Sequence, residues 1–183
     1  MQDKLQMIRE NVIKAKEKSN APARGPVDVV KMAKQLGFAV LSTPAFPTEI
    51  VGVMYLNLTG KFSKDLGSKK LIALNENYDK KHQRFAIAHE VGHFFMHDND
   101  CKEDDWEHAY TMTQDNEEGI EGEACRFAAM LLMEEKSFKK SFDELKLDNE
   151  NEEIDIIEKL SNEFGAPQSS VKRRINELGL SYD

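Results

Sequence analysis

The stretch FAIAHEVGHFFMHD, residues 85–98, holds three of the chain's five histidines: His89, His93 and His97. Imidazole nitrogens are ligands for zinc and related divalent ions. Residues four apart on an α-helix differ by about 40° in direction and about 6 Å along the axis. His89 and His93 can therefore each present a nitrogen to one ion, at the roughly 2.0–2.1 Å that zinc accepts. Glu90 lies about 100° around from His89, which places its carboxylate beside such an ion and not on it. From there it can take a proton from an attacking water and return it to a leaving amine. His97 has turned by about 80° relative to His89 and stands about 12 Å further along the axis, so it cannot share that ion on a straight helix. It reads as a structural histidine, favourable to the dipole at the helix end.

A catalytic zinc has three protein ligands and one open position, so a third ligand must come from another element. The stretch EEGIEGEACRFAAMLLM, residues 117–133, supplies Glu117, Glu118, Glu121 and Glu123. Relative to a buried stripe of Ile120, Ala124, Phe127 and Leu131, Glu121 lies on one flank and Glu123 on the other. Spacing does not choose between them, and solvated helix-start carboxylates favoured by the dipole remain the alternative for the others. The ion expected is zinc, with manganese also compatible with such a donor set.

These residues need rigid elements around them. Leu5, Ile8, Val12 and Ala15 recur at helical spacing over residues 2–18. A second helix is expected from Pro26, at a first helical position, to Gly37 as its C-terminal cap. FAVL (38–41), IVGVMYL (50–56) and KKLIALN (69–75) read as three strands, with TGKFSKDLGSK connecting the last two. Asp79 is a credible N-cap for a helix over about 80–97 that carries the histidines. Phe85, Ala88, Val91 and Phe95 would anchor its far side in the core. Gly92 costs about 1 kcal/mol relative to Ala in a helix interior, which suggests that another backbone or a substrate comes close. Residues 98–116 show no period and read as a loop, followed by a helix over 117–133 and helical segments from 135 to the end.

The chain is 183 residues long, enough for one hydrophobic core with a small extension. We divide it into 1–134, holding the metal motif, and 135–183, a helical C-terminal extension. No run of eighteen apolar residues exists, and the charged N-terminus does not resemble a secretory signal, so a cytoplasmic address and no membrane association are expected. Cys101 and Cys125 are too few for a disulfide framework and should be free thiols. The net charge of −8 argues against a general nucleic-acid binder and suits a basic protein partner. Residues 98–123 alone carry eleven acids and one base, Lys102. Joining the two motif helices, this run either steers a positively charged substrate to the cleft or is a solvated loop with no partner. Trp106, His108 and Tyr110 in the same run could position substrate or stabilise an oxyanion, but nothing in the sequence raises them above loop packing.

AHEVGHFFMH, with EGEACRFAAMLLM beginning 28 residues after His93, resembles the ImmA/IrrE family of metallopeptidases. PVDVVKMAKQLGFAV and LSNEFGAPQSSVKRRINELGL resemble that family's N-terminal helix-to-strand segment and its helix-turn-helix-like tail. The resemblance implies that His89, His93 and Glu121 bind the metal, that Glu90 is the catalytic base, and that Glu123 is a second choice. Two departures stand out: Cys125 where the family commonly has Asn or Asp, and Glu134 where it often has Pro.

The expected fold is α+β: a small twisted sheet with the H-E-x-x-H helix and a second ligand helix in a zincin-like arrangement, then the helix-turn-helix-like tail. The resemblance further implies a zinc endopeptidase that cleaves a DNA-binding helix-turn-helix repressor, relieving repression of a mobile element or a stress regulon. Two other readings stay open: a non-proteolytic repressor-binding protein that keeps its metal for folding, and a DNA-binding regulator. Lys172, Arg173 and Arg174 in the last helix form a weak phosphate footprint, so docking of a repressor or packing on the core is expected there before DNA binding. Nothing in the sequence fixes an oligomeric state.

Overall fold

The computed structural model describes residues 2–97, 108–111, 119–147 and 153–182. The elements run α1 (Gln2–Lys18), α2 (Val29–Gln35), β1 (Phe38–Thr43), β2 (Ile50–Tyr55), α3 (Gly60–Leu66), β3 (Lys70–Asn75), α4 (Lys80–Met96), β4 (His108–Thr111), α5 (Gly119–Leu132), α6 (Glu135–Leu147), α7 (Glu153–Phe164) and α8 (Gln168–Glu177). The α+β class is as expected, with one mixed sheet in the order β1-β3-β2-β4. β1 pairs parallel with β3, while β2 is antiparallel to both β3 and β4. The two central strands, β2 and β3, are the most continuously buried, so their apolar runs carry no inside–outside alternation.

Helix α4 is set against this sheet by a buried polar knot. Asn75 at the end of β3 donates to the carbonyls of Pro47 and Ile50, and Gln83 in the first turns of α4 donates to the carbonyls of Asn75 and Tyr78. Asp79 caps the helix by accepting from the backbone N–H groups of Lys81 and His82, both at 2.9 Å. Gly52 then lets helix and sheet meet: a Cβ there would lie 3.1 Å from Ala86 Cβ and 3.3 Å from Leu74 Cδ2. With the sheet on one side and α5 on the other, α4 is buried without a break from Phe85 to His93.

One core cluster runs from Ile8 of α1 through Val91 and Phe127 to Phe138, Leu160 and Ile175 of the C-terminal helices. Arg84 of α4 crosses to the tail, donating to the carbonyls of Phe164 and Gly165 and back to that of Val27. Buried Arg174 of α8 donates to the carbonyl of Met133. Among the described residues no helix is long and apolar enough to cross a membrane.

Several expectations need correction. The second helix begins at Val29 and not at Pro26: Asp28 caps it, accepting from Lys31 N–H. The connection TGKFSKDLGSK contains α3, which buries none of its residues and so left no apolar stripe to read. Part of the run 98–116 is strand β4, which four residues form by pairing with β2 and not by any period of their own. The rest of that acidic run, with Cys101 and Trp106, lies outside the described residues. Ile120, counted in the buried stripe of α5, is 45% exposed.

Candidate metal centre

The site is built across the α4–α5 contact. His89 and His93 stand one helical turn apart on α4, both essentially fully buried, and their ring nitrogens Nε2 are 2.9 Å apart. From α5, the Glu121 carboxylate reaches over with Oε2 at 3.1 Å from His89 Nε2 and Oε1 at 3.1 Å from His93 Nε2. These three residues form a cluster whose ligand atoms converge closely enough to hold one ion. Two imidazoles and one carboxylate are the donor set of a catalytic zinc, with a fourth position left open. A tetrahedral ion at 2.0–2.1 Å would set the nitrogens about 3.3 Å apart, so binding asks for only a few tenths of an ångström of opening.

Burial by itself would raise the Glu121 carboxyl, but hydrogen bonds from His89 and His93 and their charge outweigh it, holding the group well below the usual carboxylate range. Glu123, on the opposite flank of α5, is engaged elsewhere. It meets Lys4 Nζ of α1 at 2.8 Å and His97 Nε2 at 3.7 Å. The choice that spacing left open is thus made by packing: Glu121 faces the histidine pair and Glu123 faces away from it. His97 is the C-terminal cap residue of α4, buried against Glu123 and the His93 ring and outside the converging cluster. Glu90 lies between the two histidines in sequence and is fully buried.

Gly92 has a different reason from the one its sequence suggested. What lies nearest to it is the side chain of Phe127. A Cβ there would sit 3.0 Å from Phe127 Cδ1 and 3.1 Å from Phe127 Cβ, so the missing side chain is the socket for the ring that locks α5 onto α4. Phe127 is itself fully buried.

Two further residues, Cys125 and Arg173, lie behind the cluster. Cys125 is buried, and its Sγ lies 3.5 Å from His89 Nδ1, on the ring nitrogen away from Glu121. Its place four residues beyond Glu121, on the same flank of α5, was the signal for this. Burial pushes the thiol up to about 11 despite the Arg173 guanidinium beside it, so sulfur stays protonated at neutral pH. Arg173 belongs to α8, and nothing in its local sequence tied it to the site. It also lines a cavity of about 490 Å³ between α5 and α8, together with Gly122, Arg126, Ser169, Asn176 and Glu177.

A buried H-E-x-x-H helix held against a sheet, with a carboxylate from a second helix closing over its histidines, defines a metallopeptidase of the zincin-like kind. The sequence model of one such family, the IrrE N-terminal-like domain, matches residues 33–176, and the chain belongs to that family of metallopeptidases. No curated protein matches it.

Proposed function

We propose that the protein is a zinc-dependent endopeptidase whose substrate is a DNA-binding repressor, and that cleavage relieves repression. The observation that carries the catalytic part is the convergence of His89, His93 and Glu121 across two helices, with Glu90 buried in the same turn. His89, His93 and Glu121 would hold the ion, and zinc bound there would polarise the scissile carbonyl and acidify the attacking water. Glu90 accepts the proton of that water on its carboxylate and delivers it to the leaving amine. The burial of Glu90 and of both histidines keeps bulk water away and strengthens the electrostatics of the step.

The repressor assignment is supported by the family resemblance and by charge. A chain of net charge −8, with eleven acids in residues 98–123, attracts a basic partner. The C-terminal helix is a poor phosphate reader, since Arg174 is buried on Met133 and Glu177 and Arg173 lies against Cys125. Only Lys172 of the three bases stands exposed.

The test is incubation of zinc-loaded protein with helix-turn-helix repressors, wild type against Glu90→Gln, followed by mass spectrometry of the products. Cleavage by the wild type alone is expected. Cleavage by both removes Glu90 from the mechanism, and loss of repressor DNA binding without any cleavage overturns the peptidase reading in favour of sequestration.

A further inference from the structure

When His89 turns Nε2 toward an ion, its neutral ring carries the remaining proton on Nδ1. That N–H lies in a fully buried side chain, where an unmatched donor is costly, so the position of its acceptor decides the tautomer and the angle of the ring. The group at 3.5 Å from His89 Nδ1 is the sulfur of Cys125. Helix α5 thus holds His89 from both sides: Glu121 meets Nε2 in front, and Cys125, one turn later, meets Nδ1 behind. The sulfur is not a member of the converging ligand set, so it addresses the ring and not the ion. The guanidinium of Arg173, coming from α8, hydrogen-bonds the same sulfur.

We propose that Cys125 is a positioning residue of the metal centre: its sulfur accepts a hydrogen bond from Nδ1–H of His89 and fixes the ring so that Nε2 faces the ion beside Glu121. The proposal rests on the zinc reading given above. It means that the cysteine keeps the role that an oxygen acceptor would fill at this place, and keeps it with a weaker acceptor. A group that orients a ligand histidine typically contributes 10–100-fold to metal affinity, so the thiol is worth a measurable share of zinc binding although it never touches the metal.

The test measures zinc affinity of the full chain by competition with a chromophoric chelator, for wild type, Cys125→Ala, Cys125→Val and Cys125→Asn. The absorption spectrum of each cobalt-loaded form is recorded beside it. Ala and Val remove the acceptor, and Val, which fills the space left by sulfur and about one methyl group more, serves where the Ala variant fails to fold. Asn offers an amide oxygen in place of sulfur. Expected are a loss of roughly 10–100-fold for Ala and Val with a changed cobalt spectrum, and an affinity for Asn within about threefold of wild type. Wild-type affinity and spectrum in Cys125→Val would overturn the proposal by reducing the thiol to a space-filler, as would an Asn variant as weak as Val. A wild-type protein that binds no zinc at all would instead overturn the zinc reading, and the positioning role with it.

Discussion

Glu90 and Glu121 are both carboxylates beside the same pair of histidines, and their surroundings divide the labour between them. Glu121 accepts from both rings and is held as an anion, the state a ligand needs. Glu90 is wholly buried on the helix that carries those rings, where a proton carrier is shielded from exchange with solvent. Glu90→Gln should keep zinc affinity and melting temperature while peptidase activity falls by roughly 10²–10⁴, the usual share of general acid–base catalysis. Glu123→Gln, which among the described residues breaks the ion pairs to Lys4 and His97, should leave zinc affinity within about threefold, because an ion pair with a lysine 69% exposed contributes little. Parallel zinc titrations and initial-rate assays on the two variants check both statements, and a large affinity loss in Glu123→Gln would return that residue to the ligand set.

At the scale of elements, the site depends on how closely α4 can approach its neighbours. Gly92→Ala gains about 1 kcal/mol of helix propensity. It also drives a methyl into the ring of Phe127, which has no open space to retreat into. Overpacking of this kind costs typically 1–3 kcal/mol, so the net change is destabilising, and the α4–α5 separation on which Glu121 depends grows. A lower urea midpoint together with weaker zinc binding is the expected pair of results.

The N-terminus of the same helix gives a pH test. Burial is the largest single influence on Asp79 and opposes its ionisation, but hydrogen bonds from His82 and Lys81 and the nearby His82 ring together outweigh it and lower its pKa below 3.8. A depressed carboxyl contributes stability above its unfolded value and loses it as pH falls through the folded one. Asp79→Ala should therefore cost about 1 kcal/mol at neutral pH, and the difference from wild type should shrink as pH drops below 3.8. Urea denaturation at a series of pH values measures it. A difference that stays constant into acid would show that the cap acts without its charge.

Across the whole molecule, the C-terminal helices share one core with the peptidase elements. Arg84 is the clearest tie, one guanidinium serving the carbonyls of Val27, Phe164 and Gly165. Gly165 is required there twice over: its φ is +57°, and a Cβ would come within 2.6 Å of Arg84 Nη1. Arg84→Met keeps the stem and removes the donors, and should cost about 2–3 kcal/mol. Because the core is continuous, tail and sheet should unfold in one transition, seen as coincident near- and far-ultraviolet circular dichroism curves. Two separated transitions would show that residues 135–183 fold as a unit of their own.

The H-E-x-x-H spacing by itself determined that His89 and His93 act together, that Glu90 stands beside them and that His97 does not, because a helix fixes the angle between residues one and four apart. Apolar runs and an N-cap likewise made three strands and the motif helix legible. Neither α3 nor β4 left such a mark: α3 buries nothing, and β4 exists through its pairing with β2. Other choices belonged to packing between elements distant in sequence. Only the seating of α5 on α4, through Phe127 in the gap at Gly92, turns Glu121 toward the histidines and Glu123 toward Lys4. The same seating brings Cys125 behind His89 and α8 against that sulfur. Local spacing fixes directions on one helix, but which residue of a second helix meets them depends on the distance and rotation between the two, and only tertiary contacts set those.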